Sequence, residues 1–186
     1  MKNNRNLLTV IFLSLSLSGC LSAKEQNYKF DYDSGLFEMD FHDIRADKDS
    51  VAKDWASVKE ALDKKDDFNP QVIAVKSKNI FQEGGVLSGH AVYQVQCPKC
   101  FPSQLDILKM IYDDGRWEEN NNEIFLIVPK DTRLTVTNGT LLRTAKSNIA
   151  VWPNDTKHFE FTIAEDNSKA VSLLENYLNE HKENKI

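Results

Sequence analysis

The sequence predicts an α+β fold, a single domain with a mostly antiparallel sheet of about seven strands and about three helices. Three observations predict it. Short runs alternate apolar and polar residues, as half-buried strands do. Three other stretches repeat apolar residues at helical spacing. The glycine turns Asp33-Ser34-Gly35, Gly84-Gly85 and Asn138-Gly139 join strands directly, which favours antiparallel neighbours.

The elements follow in order. Tyr28, Phe30 and Tyr32 alternate with Lys29 and Asp31, and Phe37, Met39 and Phe41 alternate with Glu38, Asp40 and His42, so the chain around Asp33-Ser34-Gly35 reads as a hairpin. Its acids suggest a calcium loop, but "DYDSG" lacks the third oxygen ligand and the later glutamate that the EF-hand spacing needs, and reads as a solvated face. Ser50 is a good N-cap for a helix with Val51, Trp55, Val58 and Leu62 inward and Lys53, Asp54, Lys59 and Glu60 toward water. After Asn69-Pro70, Val72–Val75 and Ile80-Phe81 read as a strand with a break, and Gly84-Gly85 turns into a strand from Val86 to Gln96. Period two along that strand puts Leu87, Ala91, Tyr93, Val95 and then Cys97 on its apolar face.

Ser103 and Asp106 form a capping box before a short helix with Leu105, Ile107, Leu108 and Ile111, closed by Asp114-Gly115. Glu123–Val128 is the next strand. Arg133–Arg143 reads as a hairpin about Asn138-Gly139, and Ile149–Trp152 is expected to pair with His158–Ile163 across "PNDTK". Asn167 or Ser168 then caps a third helix carrying Ala170, Val171, Leu174, Tyr177 and Leu178, ahead of a polar tail at 183–186.

The first twenty residues differ in kind. Lys2 and Arg5 precede an uncharged apolar stretch from Leu7 to Leu17, shorter than the roughly 20 residues a bilayer span requires. It reads as a signal-peptide core and ends at Leu17-Ser18-Gly19-Cys20. This tetrad resembles the lipobox of bacterial lipoproteins. The resemblance implies cleavage after Gly19, lipid attachment to the Cys20 sulfur, and an extracytoplasmic, membrane-tethered protein. With each buried methylene contributing about 0.8 kcal/mol, two or more acyl chains hold a domain on a membrane without a spanning helix. Leu21 stands where aspartate would suggest inner-membrane retention, so in a host with two membranes the expected site is the outer membrane, facing the periplasm. The organisation is then signal peptide 1–19, lipidated cysteine and tether 20–27, domain 28–182 and tail 183–186.

The chain carries 23 Lys and Arg against 28 Asp and Glu, and loss of residues 1–19 removes Lys2 and Arg5 and no acid, leaving a net of −7. That balance argues against nucleic acid as a partner. The expected partner is the membrane, through the lipid, with an envelope protein as a further candidate.

Cys97 and Cys100 in "CPKC" suit three chemistries. A thiol-disulfide oxidoreductase needs an exposed thiolate whose pKa is lowered, as at a helix N-terminus. Here Pro102 disfavours helix at Phe101 and Ser103 is the cap, so both thiols precede the helix. Structural zinc needs four ligands, and there is no second C-x-x-C or H-x-x-x-H; His90 falls on the strand face opposite Cys97, while His42, His158 and His181 are scattered. A structural disulfide fits best, because lipidation of Cys20 leaves an even pair in an oxidising compartment. Its four-residue loop makes it a modest staple, about 2 kcal/mol on the loop-entropy model. The sequence assigns no catalytic residue, metal set or cofactor: G-x-S-x-G, P-loop, HExxH and dinucleotide fingerprints are all missing. Trp55, Trp117 and Trp152 suit core packing better than carbohydrate contacts. The reading is therefore a non-enzymatic binding or envelope-structural lipoprotein, with a periplasmic oxidoreductase acting through Cys97 and Cys100 as the alternative.

Overall fold

Among the described residues, eleven strands and three α-helices build two antiparallel sheets around one core. The structure, a computed structural model, describes residues 21–65, 68–101, 103–136, 138–164 and 169–183. The elements are β1 (Ser22–Asp31), β2 (Leu36–Asp47), α1 (Val51–Asp63), β3 (Ile73–Glu83), β4 (Val86–Val95), a 3-10 turn (Pro98–Cys100), α2 (Gln104–Ile111), β5 (Arg116–Glu119), β6 (Glu123–Pro129), β7 (Arg133–Val136), β8 (Thr140–Arg143), β9 (Ser147–Pro153), β10 (His158–Ala164), β11 (Ala170–Ser172) and α3 (Leu174–Glu183). The larger sheet has seven strands in the order β3-β4-β2-β1-β10-β7, with β11 also paired to β2; the smaller runs β5-β6-β9-β8. The antiparallel seven-stranded sheet and three helices match the fold class the sequence predicts. The smaller sheet is additional to it.

The hairpin of β1 and β2 is the centre of the larger sheet. Phe30 lies opposite Phe37 and Tyr28 opposite Met39, and the neighbouring rungs carry Phe159 and Phe161 from β10 and Ala91 and Tyr93 from β4. All eight share one face and are buried. Burying a large apolar side chain contributes about 1.5–3 kcal/mol, so this face dominates the stabilisation. The smaller sheet closes over it. Trp152 sits 5.5 Å from Phe159 and 6.1 Å from Phe161, and Trp117 lies 5.9 Å from both Trp152 and Phe161. The remaining residues of the same strands, such as Lys29, Asp40, His90 and Glu160, project from the opposite, polar face.

Several expectations are corrected. Ser22–Asn27, read as a tether, forms the first part of β1: Ser22 opposes Arg45 and Asn27 opposes Asp40, because the twelve-residue β2 presents backbone groups that require partners. Ala170 and Val171, expected in the third helix, belong to β11, and α3 begins only at Leu174; the proposed caps Asn167 and Ser168 lie outside the described residues. The cause is the same. On that side of β2, β4 pairing stops at Phe41, and β11 takes over at Arg45–Asp47. Asp43 marks the switch with a left-handed φ of 55°, its carboxylate held by Arg45 Nε at 2.7 Å. The expected break in the third strand is a bulge between Val75 and Ser77 within continuous pairing. Asp54 is buried rather than solvated, and Ser50 Oγ donates to its Oδ2 at 2.5 Å instead of capping the helix backbone.

The most consequential correction concerns 133–164. Arg133–Val136 and Thr140–Arg143 do not form a hairpin. β7 pairs with β10 in the larger sheet and β8 with β9 in the smaller. Likewise β9 pairs with β6 and β8, and not with β10. Asn138 stitches the crossing: its Nδ2 donates to His158 O, and its Oδ1 accepts from Trp152 Nε1 at 3.1 Å and Glu160 N at 3.3 Å. A Cβ on Gly139 would lie 2.7 Å from Trp152 Nε1 and 2.8 Å from Val151 O. The Asn-Gly pair therefore serves close approach of backbone to indole rather than a type I′ turn.

Gly139→Ala should thus destabilise the fold by about 1–3 kcal/mol, the usual range for overpacking, read as a lowered denaturant midpoint at unchanged slope.

Candidate functional site

The CPKC corner is built by the end of β4. Val95 is the last paired residue, and Pro98, lacking an N–H, diverts the chain into a 3-10 turn in which Cys100 N donates to Cys97 O at 3.0 Å. The strand alternation that was expected to carry Cys97 inward ends two residues too early: Cys97 is only half-buried and Cys100 is exposed. Their Cα atoms are 5.2 Å apart and their sulfurs are at bonding distance.

The corner is wedged against the β1–β2 turn. Tyr32 Oη donates to Pro98 O at 3.1 Å, Gln94 Nε2 to Ser34 O at 2.8 Å, and Val95 N to Gly35 O at 2.8 Å. Gly35 has φ +68°, and a Cβ there would stand 2.7 Å from Pro98 Cγ, so both conformation and space require glycine. Lys157 lies 5.0 Å above the Tyr32 ring. α2 starts at Gln104 with Ser103 Oγ accepting from Asp106 N at 3.4 Å, so both cysteines precede its cap in the chain. Lys99 projects from the bend, and Phe101 packs on the core.

The other sequence candidates stay apart. His90 Nδ1 is 2.6 Å from Asp40 Oδ1, His42 Nδ1 is 3.4 Å from Ser88 Oγ, His158 Nδ1 is 3.3 Å from Asp31 Oδ2, and His181 Nδ1 is 2.8 Å from Tyr177 O. Among the described residues no three His, Cys, Asp or Glu converge as a metal set. Trp55, Trp117 and Trp152 are buried, with the indole N–H of Trp117 donating to Tyr112 O at 2.8 Å. Cys20 lies outside the described residues.

The structure also forms a cleft that sequence reading missed. Between β7 and the β8–β9 turn, Lys130, Thr132, Arg133, Thr135, Arg143 and Thr144 surround about 330 Å³. Asn148 braces its floor, donating to Lys130 O at 3.0 Å and Thr132 O at 2.6 Å. Arg143 is the cross-strand partner of Asn148 and projects from the same face of β8 and β9. The sequence signal was three basic residues around two turns, but the hairpin reading placed Arg133 and Arg143 in one ribbon.

No protein-family model matches this chain, and no curated protein or solved structure shows significant similarity to it.

The β1–β2 turn has a measurable electrostatic signature. Asp31 Oδ1 accepts from the N–H groups of Asp33 and Ser34. The Ser34 N–H holds its carboxyl below the usual aspartate range, against partial desolvation, with the charge of His158 adding to the effect. A depressed carboxyl stabilises the fold above its unfolded pKa of about 3.9, and that contribution is lost as pH falls through the lower folded value. Asp31→Ala should therefore lower the denaturant midpoint slightly at neutral pH, with the deficit narrowing below about pH 4.

Proposed function

We propose that this protein is a bacterial lipoprotein anchored through Cys20 on the extracytoplasmic side of a membrane, which in a host with two membranes is the periplasmic face of the outer membrane. It works there as a non-enzymatic binding or envelope-structural domain. The observation that carries the reading is "LSGC" directly after an apolar segment too short to span a bilayer. Ser22 is already paired in the sheet, so an anchor on Cys20 would hold the domain against the membrane with almost no slack. No described helix is long and apolar enough to cross a membrane, so such a domain would depend on its lipid for attachment.

The corner geometry supports a structural role for Cys97 and Cys100. Both precede the Ser103 cap of α2 in the chain rather than standing in its first turn, the position that favours a thiolate. The exposure of Cys100 is the one observation that favours the oxidoreductase alternative.

Cys20→Ser should abolish incorporation of labelled fatty acid and release the protein from the membrane fraction; full acylation of that variant would refute the anchor. Replacing Cys97 and Cys100 by alanine should cost about 2 kcal/mol while leaving membrane attachment and partner binding intact. The redox potential separates the two readings, since structural disulfides lie below about −300 mV. A value near −200 mV together with insulin reduction would establish the oxidoreductase.

A further inference from the structure

The basic cleft stands out by charge. The chain carries −5 overall, yet the cleft walls hold Lys130, Arg133 and Arg143 and no acid; Asp131, in the same turn, does not line it. Among the described residues none of the three cations is in an ion pair. Three like charges around one cavity repel each other, and an anion between them relieves that repulsion. Two guanidinium forks and the hydroxyls of Thr132 and Thr135 are the donors that a phosphate group accepts from, the arginines in bidentate fashion. The volume is at the small end of ligand sites, about 300–1,000 Å³, and suits a headgroup-sized ligand rather than a polymer.

Its position adds a second argument. Arg133 opposes Ala164, which opposes Glu25, and β1 runs from Glu25 back to Ser22 in the direction in which the β6–β7 turn lies. Pro129 opposes Ser147, so the β8–β9 turn lies at that end too. The cleft is thus at the end of the molecule where β1 begins at Ser22, two residues after Cys20 in the sequence.

We propose that the cleft between β7 and the β8–β9 turn binds a phosphate-bearing anionic group, with Arg133 and Arg143 gripping its oxygens and Lys130 neutralising the remaining charge. On the anchored-lipoprotein reading the group is the headgroup of an acidic phospholipid in the same membrane, and binding fixes the orientation of the domain as well as its attachment.

The test is amide hydrogen exchange on the full chain in nanodiscs of phosphatidylcholine, with or without phosphatidylglycerol, and separately with inorganic phosphate added to the phosphatidylcholine discs. Phosphatidylglycerol should slow exchange in residues 133–136 and 140–148 about tenfold once it is present at about ten times its dissociation constant. A triple variant, Lys130→Gln, Arg133→Gln and Arg143→Gln, should lose that protection; all three side chains are exposed, so the fold is kept. Arg133→Lys with Arg143→Lys keeps the charge, loses the forks and should protect less than the wild type. Slowing by inorganic phosphate alone would identify a soluble phosphate compound as the ligand, and slowing only by phosphatidylglycerol a lipid headgroup; either supports the site. The proposal is overturned if neither probe slows exchange, if the triple variant is protected as well as the wild type, or if Lys76→Gln, Lys109→Gln and Lys182→Gln, outside the cleft, together abolish protection equally. The phosphate arm needs no anchor and can be run in solution, so its failure is distinguishable from a failure of acylation at Cys20.

Discussion

The contact between the aromatic face of the larger sheet and the two tryptophans of the smaller one governs the rest of this molecule. Tyr28, Phe159 and Phe161 on one side and Trp117 and Trp152 on the other form a continuous set of ring contacts, extended through Tyr112 after α2. A single sheet with one apolar face must cover it, and helices α1 and α2 alone leave the β1–β10 region open. The smaller sheet supplies the missing cover. Its indoles bring their own requirement, because a buried N–H needs an acceptor. Trp117 finds the Tyr112 carbonyl and Trp152 finds the Asn138 amide.

That requirement explains the route of the chain between residues 133 and 164. Asn138 is placed where it can serve Trp152 in the smaller sheet and the His158 and Glu160 backbone in the larger. Gly139 then has to pass so close to the indole that no side chain fits. Strands adjacent in sequence are consequently sent to different sheets. The separation of β7 from β8 leaves two short edges facing one another, and the basic cleft is the space between them. A hairpin would have paired those edges and left no cavity.

The CPKC corner depends on the same framework from the other end. The β1–β2 turn is held by the Asp31 carboxylate and by the left-handed Gly35, and the corner rests on it through Tyr32 and Gln94. The two cysteines bridge only four residues, whereas these contacts join residues 60 and 66 positions apart. Long-range contacts of this kind determine where the turn sits, and the cysteines tie it locally.

The sequence by itself determined the elements whose signals are local. Period-two alternation in Tyr28–Phe41 and Val86–Val95, the glycine turns at Gly35 and Gly84-Gly85, and the Ser103 cap all act within a few residues, and each stands where it was read. It also carries Leu17-Ser18-Gly19-Cys20 after an apolar segment, and the resemblance of that tetrad to a lipobox needs no fold to be legible. What only the tertiary structure decided is which strand meets which. Ser22–Asn27 and Ala170–Ser172 became strands because β2 left backbone groups unpaired, a demand that their own composition does not record. Asn138-Gly139 has the composition of a hairpin turn, yet an indole fourteen residues after Asn138 outweighed the local preference. Arg133 and Arg143 came to face one cavity for the same reason: partner choice follows from burial across the whole core, and burial is a property of the folded chain rather than of any window along it.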